Sequence, residues 1–160
     1  MIRLGCTIVL LAGLVVGVAN QLAAQEQEQE RKVTRRDLPA AVAKTVDAQS
    51  HGATIRGYSE EKENGQTLYE VELRVNGHTR DVLIDANGAV VEVEEEVDLA
   101  ALPAAVRDAL NAGAGSGKIG VVESVTKGGQ IVAYEAHVTT NGKKSEVKVG
   151  PDGKPLQGEP

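Results

Sequence analysis

This chain has one cysteine, no tryptophan and no phenylalanine. A single cysteine excludes an internal disulfide framework, so the fold must stand on its core and its hydrogen bonds. With tyrosine as its sole aromatic, the core must be aliphatic, and it forgoes the large area that aromatic side chains bury. Basic clusters are missing too, the largest being Arg31-Lys32 and Arg35-Arg36. With 23 acidic against 17 basic side chains and a net charge of −6, the balance argues against nucleic acid and anionic membrane surfaces, which demand basic patches. No apolar run reaches the roughly 20 residues that a bilayer-spanning helix needs.

What is present begins with an export signal. Arg3 supplies a positive start, Thr7 to Ala19 is uncharged and apolar, and Leu22-Ala23-Ala24 offers a small-residue cleavage site. Residues 1–24 are therefore expected to be removed. Cys6 precedes the apolar run, so it cannot sit at a lipoprotein cleavage site, and no lipid anchor is expected. Loss of Arg3 and of no acidic residue leaves a cysteine-free chain of net charge −7, expected in the periplasm or outside the cell, with no membrane insertion. Residues 25–36 carry one apolar side chain and no core-facing period, and read as a disordered polar lead-in.

The remainder says one thing twice. Leu38-Pro-Ala-Ala-Val at residues 38–42 returns as Leu102-Pro-Ala-Ala-Val, then Ile55 answers to Ile119, Tyr69 to Tyr134, Asn76-Gly77 to Asn141-Gly142 and Asn87-Gly88 to Asp152-Gly153. An internal repeat of this length points to two copies of one supersecondary unit, 37–97 and 98–160. Each opens with a helix. Asp37 and Asp98 are the expected N-caps, with Pro39 and Pro103 near the first turn. Leu38, Ala41, Val42, Thr45 and Val46 share one face at helical spacing, as do Leu102, Ala105, Val106, Ala109 and Leu110. Turn dipeptides at hairpin spacing follow each helix. Between them Tyr69, Val71, Leu73 and Val75 alternate with Glu70, Glu72 and Arg74, while Tyr134, Ala136 and Val138 alternate with Glu135, His137 and Thr139, the period of half-buried strands. The expected fold is α+β: two tandem αβββ(β) repeats, helices packed on one face of an antiparallel sheet. A fourth strand is expected at Ala89 to Glu95, and its counterpart after Gly153 should be short or absent.

Catalytic constellations are not evident. The chain beyond residue 24 has no cysteine, and Ser50, Ser59, Ser116, Ser124 and Ser145 stand in no nucleophile context. His51, His78 and His137 lack zinc spacing. Asp85-Ala86-Asn87-Gly88 opens like a calcium loop without its downstream ligands. It reads as a turn before an acidic edge strand bearing Glu92, Glu94, Glu95 and Glu96, charges that discourage sheet-to-sheet aggregation. No cofactor and no metal site are expected.

Asp-Leu-Pro-Ala-Ala-Val opening a helix, the Tyr-Glu-Val-Glu strand and the Asp-Ala-Asn-Gly turn resemble PepSY-like exported proteins of bacteria, over about residues 37–156. The resemblance implies the β-lactamase-inhibitor-like fold of α-then-β units on one extended sheet, and inhibitory or protease-regulating roles in some relatives. Gly150-Pro151 departs from the pattern, where the first copy has Asp85-Ala86. The expected function is a non-enzymatic binding module with a protein or peptide partner, a basic one by charge. A structural or sensory envelope protein binding metal or a cell-wall component is the alternative. The candidate partner-binding residues are Glu70, Glu72, Arg74, Glu135, His137 and Thr139, which alternation places on the solvated, helix-free sheet face.

Overall fold

The computed structural model describes residues 29–63 and 65–156. The expected signal, residues 25–28, Asn64 and residues 157–160 lie outside the described residues. Strands β1 (Gln29–Lys32), β2 (Thr54–Glu63), β3 (Gln66–Val75), β4 (His78–Asp85), β5 (Val90–Glu96), β6 (Lys118–Lys127), β7 (Gln130–Thr140) and β8 (Lys143–Val149) form one 8-stranded antiparallel sheet in chain order. Helix α1 (Ala40–Gln49) precedes β2, and α2 (Ala104–Ala114) precedes β6.

Neighbours in sequence pair in space because tight turns leave little choice. In the β3–β4 and β7–β8 hairpins both central residues are left-handed, Asn76 (φ 51) with Gly77 (φ 94) and Asn141 (φ 52) with Gly142 (φ 80). That is the turn whose twist matches the flanking strands. The helix starts differ from expectation in detail. Asp98 caps a short 3-10 turn, accepting from the Ala100 backbone N–H, whereas Asp37 ends the matching turn and accepts from the backbone N–H of its cap, Thr34; Pro39 and Pro103 occupy the caps of α1 and α2. Proline there gives up no intrahelical bond.

Each helix roofs its own cluster. Leu38, Val42 and Val46 pack on Val71, Leu73, Val82 and Ile84, with Tyr69 and Val93 at the margin. Leu102, Val106 and Leu110 pack on Val122, Tyr134, Ala136, Val138 and Val149. Val93 lies opposite Thr126 on β6, and Val122 is two alternations further along that strand, so both helices occupy the same sheet face. Truncating Tyr134, 9% exposed, to alanine should cost about 3 kcal/mol, and truncating the less buried Tyr69 about 2 kcal/mol. Urea unfolding is the measurement. Unshifted midpoints in both variants would show that neither ring supports its cluster.

Two features correct the sequence reading. Residues 29–32 of the expected disordered lead-in form edge strand β1, paired with Ser59 to Lys62 of β2. The backbone of β2 needs partners there, and Arg31 reaches Glu60 at 2.9 Å, so an edge strand forms without any apolar pattern. Strand β5 is not an edge. It pairs with β4 and with β6 and joins the two halves of the sheet. The short counterpart after Gly153 is a single bridge, Val149 to Pro155, with Leu156 N–H donating to the Lys148 carbonyl.

Candidate functional site: the helix-free sheet face

Strand alternation carries every second residue of the sheet away from the helices. Cross-strand pairing then sorts these residues into rows. One row runs Glu72, Asp81, Glu94, Val125 and Ala133 across β3 to β7. On one side of it lie Ser59, Glu70, Leu83 and Glu92. On the other lie Glu96, Glu123, Glu135 and Lys148. The face is thus strongly acidic, and its acidity is concentrated on the central strands.

Although no helix among the described residues covers it, part of this face is buried and much of the rest is half-buried. Val125 and Ala133 are fully buried, Ser59 likewise, and Glu123 and Glu135 are each only 7% exposed. The long side chains around them provide the cover. Register shifts in β2, β4–β5 and β6 bend the strands, as bulges do.

Burial of carboxylates requires partners, and most have one. Ser59 donates to Glu70 at 2.6 Å. Lys32 reaches from β1 to Glu72 at 2.5 Å, crossing β2 at Gly57, where a Cβ would stand 3.0 Å from the Glu72 carboxylate. Lys127 pairs with Glu92 at 3.1 Å, and Lys148 pairs with Glu135. His137 sits between two carboxylates, with Nε2 2.9 Å from Glu123 and Nδ1 3.5 Å from Glu146. The carboxylates beside Lys32 hold its ammonium proton well beyond the usual lysine range.

Asp81 and Glu94 differ. Directly opposed across β4 and β5, they have neither ion pair nor side-chain hydrogen bond among the described residues. Burial, then the charges of Glu70, Glu123 and Glu72, push the Asp81 carboxyl up to about 7, with Lys32 opposing. Burial, then Glu135, Glu123, Glu92 and Asp81, push Glu94 up to about 8. Desolvation and like charge act in the same direction here.

The six sequence candidates all lie on this face, three on β3 and three on β7, separated by β4, β5 and β6. They do not form one cluster. Glu70 and Glu72 border the central row. Arg74 is exposed at the margin and donates to the Gly77 carbonyl at 2.5 Å. His137 and Thr139 help line a cavity of about 310 Å³ together with Thr79, Glu123 and Lys144. Glu135 corrects the reading that it is solvated: Lys148 directly opposite and the buried row beside it remove it from water. Sequence reasoning missed Asp81, Glu123 and Lys148. Asp81 carries a usable signal, since its alternation with the apolar Val82 and Ile84 turns it away from the helices.

No group of three or more His, Cys, Asp or Glu among the described residues is arranged to hold a metal ion. Ser59 is fully buried and donates to a carboxylate. What the arrangement offers is an extended, partly buried, acidic surface.

Comparison with known proteins agrees with this architecture. Residues 40–94, from α1 into β5, match the PepSY family model, described as peptidase propeptide and YPEB domain. Among solved structures, the chain resembles a protein from Bacteroides eggerthii described as a candidate periplasmic protein, at 19% identity and a TM-score of 0.61, over 75% of this chain and 86% of that one. A DUF2874 family protein from Bacteroides ovatus matches at 20% identity and a TM-score of 0.58, covering 75% and 85%. A BLIP-like protein from Bacteroides fragilis matches at 20% identity and 0.54, covering 74% and 84%. At these identities the likeness shows fold alone. No curated protein matches the sequence. Residues 40–94 therefore resemble a PepSY domain, and the chain has a PepSY-like, BLIP-like fold.

Proposed function

We propose that this is an exported, non-enzymatic binding module, built of two copies of a helix-and-meander unit, whose helix-free sheet face docks a basic segment of a protein or peptide in the cell envelope. The signal-like residues 1–24 and the periplasmic description of a structural relative support export. The observation that carries the docking reading is the continuous acidic face across β3 to β7. It is extended, as protein interfaces are, and runs well beyond the cavity at its β7 end. A charged face of one sign selects a partner of the other and speeds its capture at low salt.

The test is capture of basic proteins from the exported fraction by the chain and by its Glu70→Gln/Glu72→Gln variant. Glutamine preserves shape and still accepts from Ser59. Each lost charge should weaken capture a fewfold, and raising salt from 0.05 to about 0.5 M should abolish it, because the Debye length falls below the charge separation. Full, salt-insensitive capture by the variant would place the partner elsewhere, in the hairpin turns.

A further inference from the structure

Resting on that docking reading, we propose that a lysine or arginine of the basic partner seats against the Asp81–Glu94 pair and that docking is coupled to proton release. The geometry singles this pair out. Around it, Glu70, Glu72, Glu92, Glu123 and Glu135 are each matched by a donor of the chain itself, respectively Ser59, Lys32, Lys127, His137 and Lys148. Asp81 and Glu94 alone of this group have none among the described residues. They stand side by side at the middle of the sheet, where β4 meets β5. The chain also shows that a lysine amine fits this face: Lys32 enters from the edge strand and meets Glu72, which is itself the cross-strand neighbour of Asp81.

An unmatched, half-buried carboxylate among like charges keeps its proton. With Asp81 raised to about 7 and Glu94 to about 8, both are largely neutral at pH 6, and both are largely ionised at pH 8.5. The nearest opposing charge is Lys32, which lowers Asp81, whereas Glu70, Glu72, Glu92, Glu123 and Glu135 all favour the protonated pair. An arriving guanidinium or ammonium favours the ionised form and expels the protons. Affinity for a basic partner therefore rises with pH through 7 to 8, and a complex formed below that range loosens.

Hexa-arginine peptide, acetylated and amidated, is the probe, because arginine does not titrate in this range. Calorimetry on the chain in buffers of different ionisation enthalpy should show net proton release at pH 7.5 and affinity rising about tenfold per pH unit for each proton released. The Asp81→Asn/Glu94→Gln variant should bind more weakly, with a flat pH profile and no proton release. Carboxyl carbon NMR of the free chain should place both titrations between pH 6 and 8.5. Midpoints near 4, or a variant with the parent's pH profile, overturn the proton linkage while leaving the docking face intact. Failure of hexa-arginine to bind the parent at pH 8.5 and low salt overturns both readings. Proton release on adding calcium or zinc alone, with no peptide binding, assigns the pair to a cation and also overturns them.

Discussion

Replacing Gly88 by alanine should destabilise the chain by about 3 kcal/mol, and replacing Gly153 should do the same. Gly88 has φ 88 and Gly153 has φ 78, a left-handed backbone that costs an alanine about 1 kcal/mol. Steric overlap costs more. A Cβ on Gly88 would lie 2.8 Å from the Ala41 carbonyl oxygen, and one on Gly153 would lie 2.7 Å from that of Ala105. Both carbonyls belong to the first turns of their helices, α1 and α2. Each turn thus presses bare backbone against the start of a helix and fixes its height over the sheet. Thr45 adds a hydrogen bond to the Gly88 carbonyl at 2.6 Å. Asparagine separates the two causes, since it tolerates the left-handed region but still carries a Cβ. Chemical denaturation should find Gly88→Asn nearly as damaging as Gly88→Ala. Recovery of parental stability by asparagine would mean that backbone conformation alone matters and that the helix does not rest on this turn.

The same contacts explain why the fold was legible and the site only in part. Leu38, Val42 and Val46, and likewise Leu102, Val106 and Leu110, betray the buried side of each helix by spacing alone, and every one of them is buried. Alternation along β3 and β7 assigns Glu70, Glu72, Glu135 and His137 to the face without helices, which is where they lie. Alternation gives a direction, however, and not a solvent exposure. Glu135 points away from the helices and is dry all the same, because Lys148 and the neighbouring rows close over it. Strand β5 was legible as a strand, but its place in the interior of the sheet comes from pairing with β6 across the whole of α2. Nothing local in Glu92 to Glu96 announces that pairing, so their charges resembled edge protection. Strand β1 lies at the other extreme. Gln-Glu-Arg-Lys carries no strand signal, and it pairs because β2 presents unsatisfied backbone and Glu60.

Reversing the charge of Glu135 should have the second large effect. Its side chain is 9% exposed and that of Lys148 is 18% exposed, and they form an ion pair across β7 and β8. Glu135→Lys sets two ammonium groups against each other where water reaches neither well. Removing the partner of a buried charge typically costs about 3–5 kcal/mol, a cost that arises from the stranded charge and exceeds what the pair itself contributes. We therefore expect a loss of about 4 kcal/mol, enough to unfold a large share of a domain of ordinary stability. Glu135→Gln removes the charge opposite Lys148 without the added repulsion and should cost about 2 kcal/mol. The swapped pair, Glu135→Lys with Lys148→Glu, should recover most of the loss, because the cross-strand register is unchanged. A double-mutant cycle in urea, read by far-ultraviolet circular dichroism, measures the coupling. Parental stability in Glu135→Lys would mean that Glu135 is solvated after all and that the acidic face is an ordinary wet surface. In that case the burial that raises Asp81 and Glu94 would lose its physical basis as well.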